Sequence, residues 1–283
     1  MAVTMCDKSI KNIEITEDFL EFYELVPKEK FVMKTGNFST CRKCLDKKTR
    51  KEYAVKIINE DNYDPEEIYF LKKAQGHLNI VEFIGAFIDC DDSKYLVMEL
   101  LTGGDLFDVL ENKPFNEEQS KKIIKQLSSA VQYLHSKDIV HRDIKPENLI
   151  FSHSINDDAL IKIIDFGLSV NKNECQPMKY KFFSLPYAAP EIVALEKYNE
   201  SCDIWSIGCI LYYLLTVKEA FPYSAATNSA LNIKSGKSKY NEDIISHVSD
   251  KCKEVIKGLL KVDPQKRFTA NQLVNHSWLT GKN

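Results

Sequence analysis

The sequence predicts an α+β chain in two lobes, a small strand-rich one followed by a larger helical one. Three observations carry that prediction. From about Phe22 to Val97 the apolar and β-branched residues alternate or run in short stretches. After Gly103-Gly104 the apolar spacing becomes that of helices. No low-complexity linker or internal repeat separates the two parts, and 283 residues suffice for a sizeable core.

Residues 1–21 are polar and mixed, and are expected to form a tail that docks loosely. In the small lobe, residues 22–101, the segments KFVMK, STCRKCL, EYAVKII, IVEFIGAFI and KYLVMEL read as strands. One helix interrupts them: Pro65 suits a first turn, EEIYFLKKA follows, and Gly76 ends it. The hinge is expected at Glu99 to Thr102. In the large lobe, residues 102–279, NEEQSKKIIKQLSSAVQYLHS puts Ile123, Ile124, Leu127, Val131 and Leu134 on one helical face. DIWSIGCILYYLLT and DKCKEVIKGLL are helical as well. The run Ile204 to Leu215 is too short to span a bilayer and is interrupted by Ser206, Gly208 and Cys209, so it reads as a buried core helix. Residues 280–283 end the chain.

A formal net charge of -3 provides no basic field for nucleic acid or an anionic membrane, so neither is expected as a direct partner. Of eight cysteines only Cys41 and Cys44 form a CxxC pair, which leaves a four-ligand zinc site incomplete. The start, MAVTMCDKSIKN, lacks an apolar signal core. Together these predict free thiols in a reducing intracellular compartment, cytoplasmic or nuclear.

The polar octapeptide HRDIKPEN follows the long helix. It puts Asp143 where a carboxylate can accept the proton of an attacking hydroxyl, and Asn148 where an amide oxygen can hold a divalent cation. Lys145 can neutralise charge on a phosphoryl group in flight. Seventeen residues after Asn148, IIDFGL delivers Asp165 at a strand end, with Gly167 permitting a sharp turn behind it; Asp165 can bind Mg²⁺. YAVKII sets Lys56 on a strand between apolar neighbours, where a buried ammonium needs an anion. Glu67 is preferred over Glu66 as that partner, because the core face formed with Ile68 and Leu71 points it inward. Asp203 precedes an apolar helix and can hold the HRD loop through backbone N–H groups. Glu191 in PYAAPE is expected to pair with Arg267 in DPQKRF. SGKS at 235–238 imitates a Walker loop, but Leu231 occupies its first glycine position.

In their order, YAVK, HRDIKPEN, DFG, APE, DIWSIG and a late arginine resemble the eukaryotic protein kinases from about Phe22 to Leu279. HRDIKPEN has the Ser/Thr-kinase form, and the layout is similar to the calmodulin-dependent kinase group. CRKCLDKKTRKEYAVKII, LVMELLTGGDLF and QPMKYKFFSLPYAAPE look most like the C-terminal kinase domain of the mitogen- and stress-activated and ribosomal S6 kinases. The resemblance implies a bilobal kinase fold, ATP and Mg²⁺, and a protein substrate. It also implies an N-terminal kinase domain or an upstream kinase as partner. By the same matching, Met98 is the gatekeeper, Glu99 and Leu101 offer backbone groups to adenine, and Ala54 and Cys41 cover the ring. Cys41 stands where a valine is usual, which predicts a thiol open to an electrophilic ligand. Asp105 and Glu147 imply a preference for a basic residue upstream of the target.

Several positions depart from the pattern. Tyr180-Lys181 stands where relatives carry an activating Thr-Pro, which leaves the partner of Arg142 open; Ser184 keeps the hydroxyl that lines the substrate and meets Asp143. The sequence ends shortly after Trp278, so the autoinhibitory tail helix of relatives is expected to be absent or to lie outside it. In KTGNFSTC, Lys34 occupies the first glycine position of the phosphate loop, Gly36 the second and Ser39 the third. Gly36 matters most, because its backbone must approach the phosphates. One lost charge-assisted hydrogen bond is worth about 1.5–3 kcal/mol, so the loop is expected to weaken nucleotide binding without abolishing transfer. Two readings follow: a Mg·ATP-dependent Ser/Thr kinase, or an ATP-binding pseudokinase acting as an allosteric scaffold. The intact Lys56, Asp143, Asn148 and Asp165 favour the enzyme.

Overall fold

The computed structural model describes residues 16–27, 32–35, 39–58, 65–88, 93–111, 113–154, 159–175, 186–222, 233–234 and 240–282; residues 16, 17, 32–35 and 39 are described by their backbone alone. The small lobe holds β1 (Thr16–Glu17), α1 (Phe19–Phe22), β2 (Tyr23–Leu25), β3 (Val32–Thr35), β4 (Ser39–Asp46), β5 (Glu52–Ile58), α2 (Pro65–Lys73), β6 (Phe83–Ile88) and β7 (Lys94–Glu99). Its sheet runs β1-β6-β7-β5-β4-β2, with β3 also on β4. Only the β1–β6 pairing is parallel among these strands.

Register divides the sheet into two faces, because residues opposite one another across antiparallel strands point the same way. Cys41 lies opposite Lys56, which lies opposite Leu96, and Ala54 lies opposite Met98. This face meets α2 and the cleft. The other face carries Cys44, Val55, Val97, Tyr95 and Phe87, all buried.

That second face is where the expected tail changes character. Phe19 is fully buried and stacks on Tyr95 at 4.3 Å and 11°. β1 pairs with the Phe87–Ile88 end of β6, and the Asp18 side chain caps α1 by accepting from the Glu21 N–H. The boundary at residue 21 is therefore displaced: Thr16 to Phe22 belongs to the sheet's packing. The reason is that the outer apolar face has to be covered, and FLEFY supplies the aromatic side chains. Phe19→Ala is expected to cost about 3–5 kcal/mol of small-lobe stability, measured by urea denaturation. Residues 1–15 lie outside the described residues.

Helix α2 bridges the lobes. Ile68 packs under the sheet with Ile58, Ala86 and Leu96, whereas Phe70 and Leu71 join the large-lobe cluster that includes Leu127, Ile163 and Phe166. Gly76 beyond it has φ +109°, and a Cβ there would lie 2.9 Å from the Tyr133 hydroxyl.

The large lobe contains α3 (Leu106–Leu110), α4 (Glu117–Ser136), β8 (Ile139–Val140), β9 (Leu149–Phe151), β10 (Ile161–Ile163), β11 (Val170–Asn171), α5 (Pro190–Val193), α6 (Ser201–Thr216), α7 (Asp250–Leu259), α8 (Ala270–Val274) and α9 (Ser277–Thr280). A reciprocal capping box of Asn116 and Gln119 starts α4, and its apolar face is buried. Every residue of α6 from Ser201 to Leu215 is buried, as suits a core helix that is apolar on all sides. At the lobe junction, Gly103 has no room for a side chain: a Cβ would stand 2.1 Å from the His153 carbonyl oxygen. Gly103 and Gly104 are instead zipped by backbone hydrogen bonds to Phe151. Among the described residues no helix is long and apolar enough to cross a membrane.

Candidate active site

The cleft between the lobes encloses about 600 Å³, a size that suits a nucleotide-sized ligand. Of the residues singled out in the sequence, Cys41, Ala54, Lys56, Glu67, Met98, Glu99, Leu101, Asp105, Lys145, Glu147, Asn148 and Asp165 line it. The two strand faces explain the upper wall: the period of two brings Cys41, Ala54, Lys56 and Met98 to the same side.

Lys56 is the centre of charge. Its Nζ lies 2.6 Å from Glu67 Oε1 and 2.9 Å from Asp165 Oδ1, so one ammonium ties the sheet, α2 and the large lobe together. Burial alone would push its pKa down, but the Asp165 and Glu67 carboxylates outweigh that and hold it above the ordinary lysine value. Burial would likewise raise the Asp165 carboxyl; the Lys56 ammonium and the Gly167 N–H instead hold it below the usual range. Both groups therefore stay charged across neutral pH; the ion pair is lost in acid as pH falls through the depressed Asp165 value, and in alkali only as pH rises through the raised Lys56 value. Glu67 is buried, whereas its neighbour Glu66 is half-buried.

The HRD segment is held by three kinds of anchor. The first is Asp203, fully buried at the start of α6. It accepts from the His141 N–H at 3.0 Å, the Arg142 N–H at 2.8 Å and His135 Nε2 at 2.9 Å. Burial opposes its ionisation, but the His135 hydrogen bond and the other donors hold its carboxyl below the usual value. The second is internal to the loop. Asn148 Nδ2 donates to the Asp143 carbonyl and to Asp143 Oδ2, each at 2.9 Å, and Lys145 Nζ meets the same Oδ2 at 2.8 Å. These contacts fix the Asp143 carboxylate beside Asn148 and Lys145, which line the cleft. The third is the ribbon pairing: β9 with β10 sets Asn148 beside Ile164, just before Asp165, and β8 with β11 sets Ile139–Val140 beside Val170–Asn171. Arg142 and Asp165 both take positive φ, 68° and 61°, a strained conformation for side-chain-bearing residues that clusters at functional sites.

Farther off, Arg267 Nη1 and Nη2 meet the two Glu191 carboxylate oxygens at 2.7 and 3.1 Å. The pair is buried, and Arg267 also donates to the Ser201 and Lys261 carbonyls and lies 5.2 Å from the Trp205 ring.

The segment expected to form the phosphate loop falls only partly within the described residues. Lys34 pairs through its backbone with Cys41, and Ser39 pairs with Ile58, whereas Gly36, Tyr180 and Ser184 lie outside them. Sequence reasoning missed other contributors. Leu71, Val81, Ile150, Ile164 and Phe166 supply much of the cleft's apolar wall. Ile150 stands in a short ribbon strand with too few residues to show its period. Asp105 also serves the fold in a way its sequence context does not reveal, because its Oδ1 caps α3 by accepting from the Asp108 N–H at 2.9 Å. Lys162 meets Glu99 at 2.5 Å and so ties the hinge to β10.

Comparison with known proteins agrees with this geometry. The protein kinase domain family model matches residues 30–279. Ribosomal protein S6 kinase alpha-4 of Mus musculus is 37% identical over 275 residues, which cover 92% of this chain and 35% of that protein. A probable serine/threonine-protein kinase of Dictyostelium discoideum is 38% identical over 271 residues, 90% of this chain and 45% of its own. Serine/threonine-protein kinase 33 of Bos taurus is 36% identical over 264 residues, covering 88% and 54% respectively. The chain spans between about a third and a half of the length of these curated relatives. With a cleft assembled from both lobes around Lys56 and a family model matched along nearly its whole length, the chain belongs to the protein kinase domain family.

Proposed function

We propose that this chain is a Mg·ATP-dependent protein Ser/Thr kinase that transfers the γ-phosphoryl group of ATP to a protein hydroxyl. The observation that carries the reading is the Lys56 ammonium held at once by Glu67 and Asp165, opposite the Asp143–Lys145–Asn148 cluster. The family implies ATP and a divalent cation, and the donor set fits Mg²⁺. Among the described residues Asp165 meets Lys56 and the Gly167 N–H through Oδ1, which leaves Oδ2 available to a cation, and the Asn148 amide oxygen is available beside it. Two hard oxygen ligands leave the remaining positions to water and phosphate, as Mg²⁺ prefers. When bound, the cation held by Asp165 and Asn148 would supply positive charge that offsets negative charge on the phosphates.

The chain's own residues then do the rest. Lys56 sets the α- and β-phosphates, Asp143 orients the acceptor hydroxyl and takes its proton, and Lys145 offsets charge on the transferring group. Met98, Glu99, Leu101, Ala54 and Cys41 enclose the adenine. Asp105 and Glu147 favour a basic residue upstream of the target. The reading in which the acceptor lies on an adjoining kinase domain rests on the likeness to the ribosomal S6 kinases. A reducing compartment suits the free thiols of Cys41, Cys44, Cys175, Cys202, Cys209 and Cys252.

The test is phosphate incorporation from Mg·ATP into the purified chain and a generic basic peptide, read by mass spectrometry beside Asp165→Asn. Label in the wild type and none in the variant is expected. Binding of Mg·ATP with equal silence in both proteins would favour the scaffold. A separate experiment addresses the sparse glycine loop. Mg·ATP is expected to raise Tm, and Lys34→Gly to enlarge that rise, with nucleotide affinity improving about tenfold, the scale of one charge-assisted hydrogen bond.

A further inference from the structure

The turn between β4 and β5 runs Asp46-Lys47-Lys48-Thr49-Arg50-Lys51, and Lys47 to Arg50 are all exposed. Asp46 organises it. Its Oδ1 accepts from the Lys48 N–H at 3.0 Å and from the Thr49 N–H at 2.6 Å, and the Thr49 hydroxyl bonds the same carboxylate. Lys47 donates its N–H to the Phe22 carbonyl at 2.9 Å and its Nζ to the Leu20 carbonyl at 2.5 Å, which fastens the turn to α1. Arg50 meets Glu24 at 2.8 Å. Thr49 is thus presented at the tip of a basic turn.

The cleft holds the complementary chemistry. Asp105 and Glu147 both line it, and Glu147 Oε2 is buried with no hydrogen-bond donor among the described residues. A buried carboxylate oxygen of this kind gains from a cation that a ligand brings. Among the described residues only Thr49 and Thr269 have two lysines or arginines in the three positions before them. Packing sets Thr269 aside: Arg267 is locked onto Glu191, and Thr269 Oγ1 caps α8 by accepting from the Gln272 N–H at 3.2 Å. Before Thr49, Lys47 and Lys48 are both exposed.

We propose that Thr49 is a phosphorylation site that this kinase modifies on a second copy of the chain, with Lys47 and Lys48 as the basic determinant taken by Asp105 and Glu147. The inference rests on the kinase reading. The acceptor comes from another copy because the turn lies at the far end of β5 from Lys56. At the rise of a strand, Glu52 to Lys56 alone is roughly 13 Å. In the transfer the Thr49 hydroxyl oxygen bonds the γ-phosphorus while the bond to the bridging oxygen breaks and ADP leaves; the hydroxyl proton passes to Asp143. The product sets a phosphate beside Asp46, whose carboxyl the Thr49 N–H and hydroxyl had held below the usual range. Like charges then repel, and the turn opens.

The test mixes phosphatase-treated wild type and Mg·ATP with an isotope-labelled Asp143→Asn chain as acceptor, and maps phosphate by mass spectrometry. A generic basic peptide in the same tube reports turnover. Thr49 of the labelled copy is expected to gain phosphate at a rate that rises with wild-type concentration. Replacing both lysines in the acceptor, Lys47→Ala with Lys48→Ala, lowers that rate about tenfold, the scale of one charge-assisted hydrogen bond. Because Lys47 also fastens α1, a peptide of residues 43–53 and its doubly substituted counterpart repeat the comparison free of the fold, with the same tenfold difference expected. Hydrogen exchange at the Thr49 amide is faster in the phosphorylated chain than in the bare one. Label on the generic peptide with Thr49 of the folded acceptor bare overturns the proposal and leaves the kinase reading standing. Equal rates with and without the two lysines, in chain and peptide alike, overturn the determinant. Silence on every acceptor, the generic peptide included, means that the kinase reading has failed and takes this proposal with it.

Discussion

Asp143→Asn is expected to lower kcat by roughly 10²–10⁴-fold while Tm and ATP affinity change little. The variant is isosteric, and its side-chain oxygen still accepts one hydrogen bond from Asn148 or Lys145, which now meet Asp143 Oδ2 at 2.9 and 2.8 Å. What it loses is the negative oxygen able to take a proton from the acceptor hydroxyl. Steady-state kinetics with a peptide substrate, beside a thermal melt with and without Mg·ATP, separates the two effects. A variant that keeps more than a tenth of the wild-type kcat would remove Asp143 from the chemical step. A variant that loses its melting shift would show that the residue serves binding instead.

Arg267→Met is expected to destabilise the large lobe by about 3–5 kcal/mol, because it leaves Glu191 as an uncompensated buried charge. Arg267 is completely buried and Glu191 nearly so, with exposures of 0% and 4%, so solvent cannot take over from the missing partner. The Ser201 and Lys261 carbonyls also lose donors. Replacing both partners, as in Glu191→Leu with Arg267→Met, is expected to recover a large part of the loss, since two apolar groups leave no charge to solvate. Chemical denaturation of the three variants checks this. Equal destabilisation in the single and double variants would mean that Arg267 acts through its stacking on Trp205 rather than through the ion pair.

Much of the architecture was legible because the periodicities are strong. The alternation in EYAVKII marks both a strand and the inward side of Lys56, and the 3.6-residue spacing through Ile123, Leu127, Val131 and Leu134 marks a helix and its buried face. Lys56 and Glu67 could be paired in advance since a lysine amid apolar residues has to find an anion. Other contacts left no comparable trace. FLEFY reads equally well as a polar stretch with scattered aromatics or as a docking segment. Only the uncovered outer face of the sheet, with Tyr95, Phe87 and Val97 awaiting a cover, decides that Phe19 is buried. Tyr198 sits in YNESCD with no periodic context, and its hydroxyl meets Arg142, 56 residues away, only because the packing of the large lobe brings the two together.

The sequence by itself determined the two-lobe α+β class, the helices and strands with strong periods, and the residue types able to carry phosphoryl transfer. These follow from local spacing and from the chemistry of single side chains, which the linear order already contains. The tertiary structure alone decided that Asp165 joins Glu67 on the Lys56 ammonium, that Asp105 caps a helix as well as lining the cleft, that Lys162 fastens the hinge, and which groups the Arg142 guanidinium meets. Each of these is a distance between segments far apart in the chain, or a side chain claimed by a turn that the packing fixes. Such arrangements are set by how the buried faces of the sheet, α2, α4 and α6 pack together, a collective outcome that no short stretch of residues encodes.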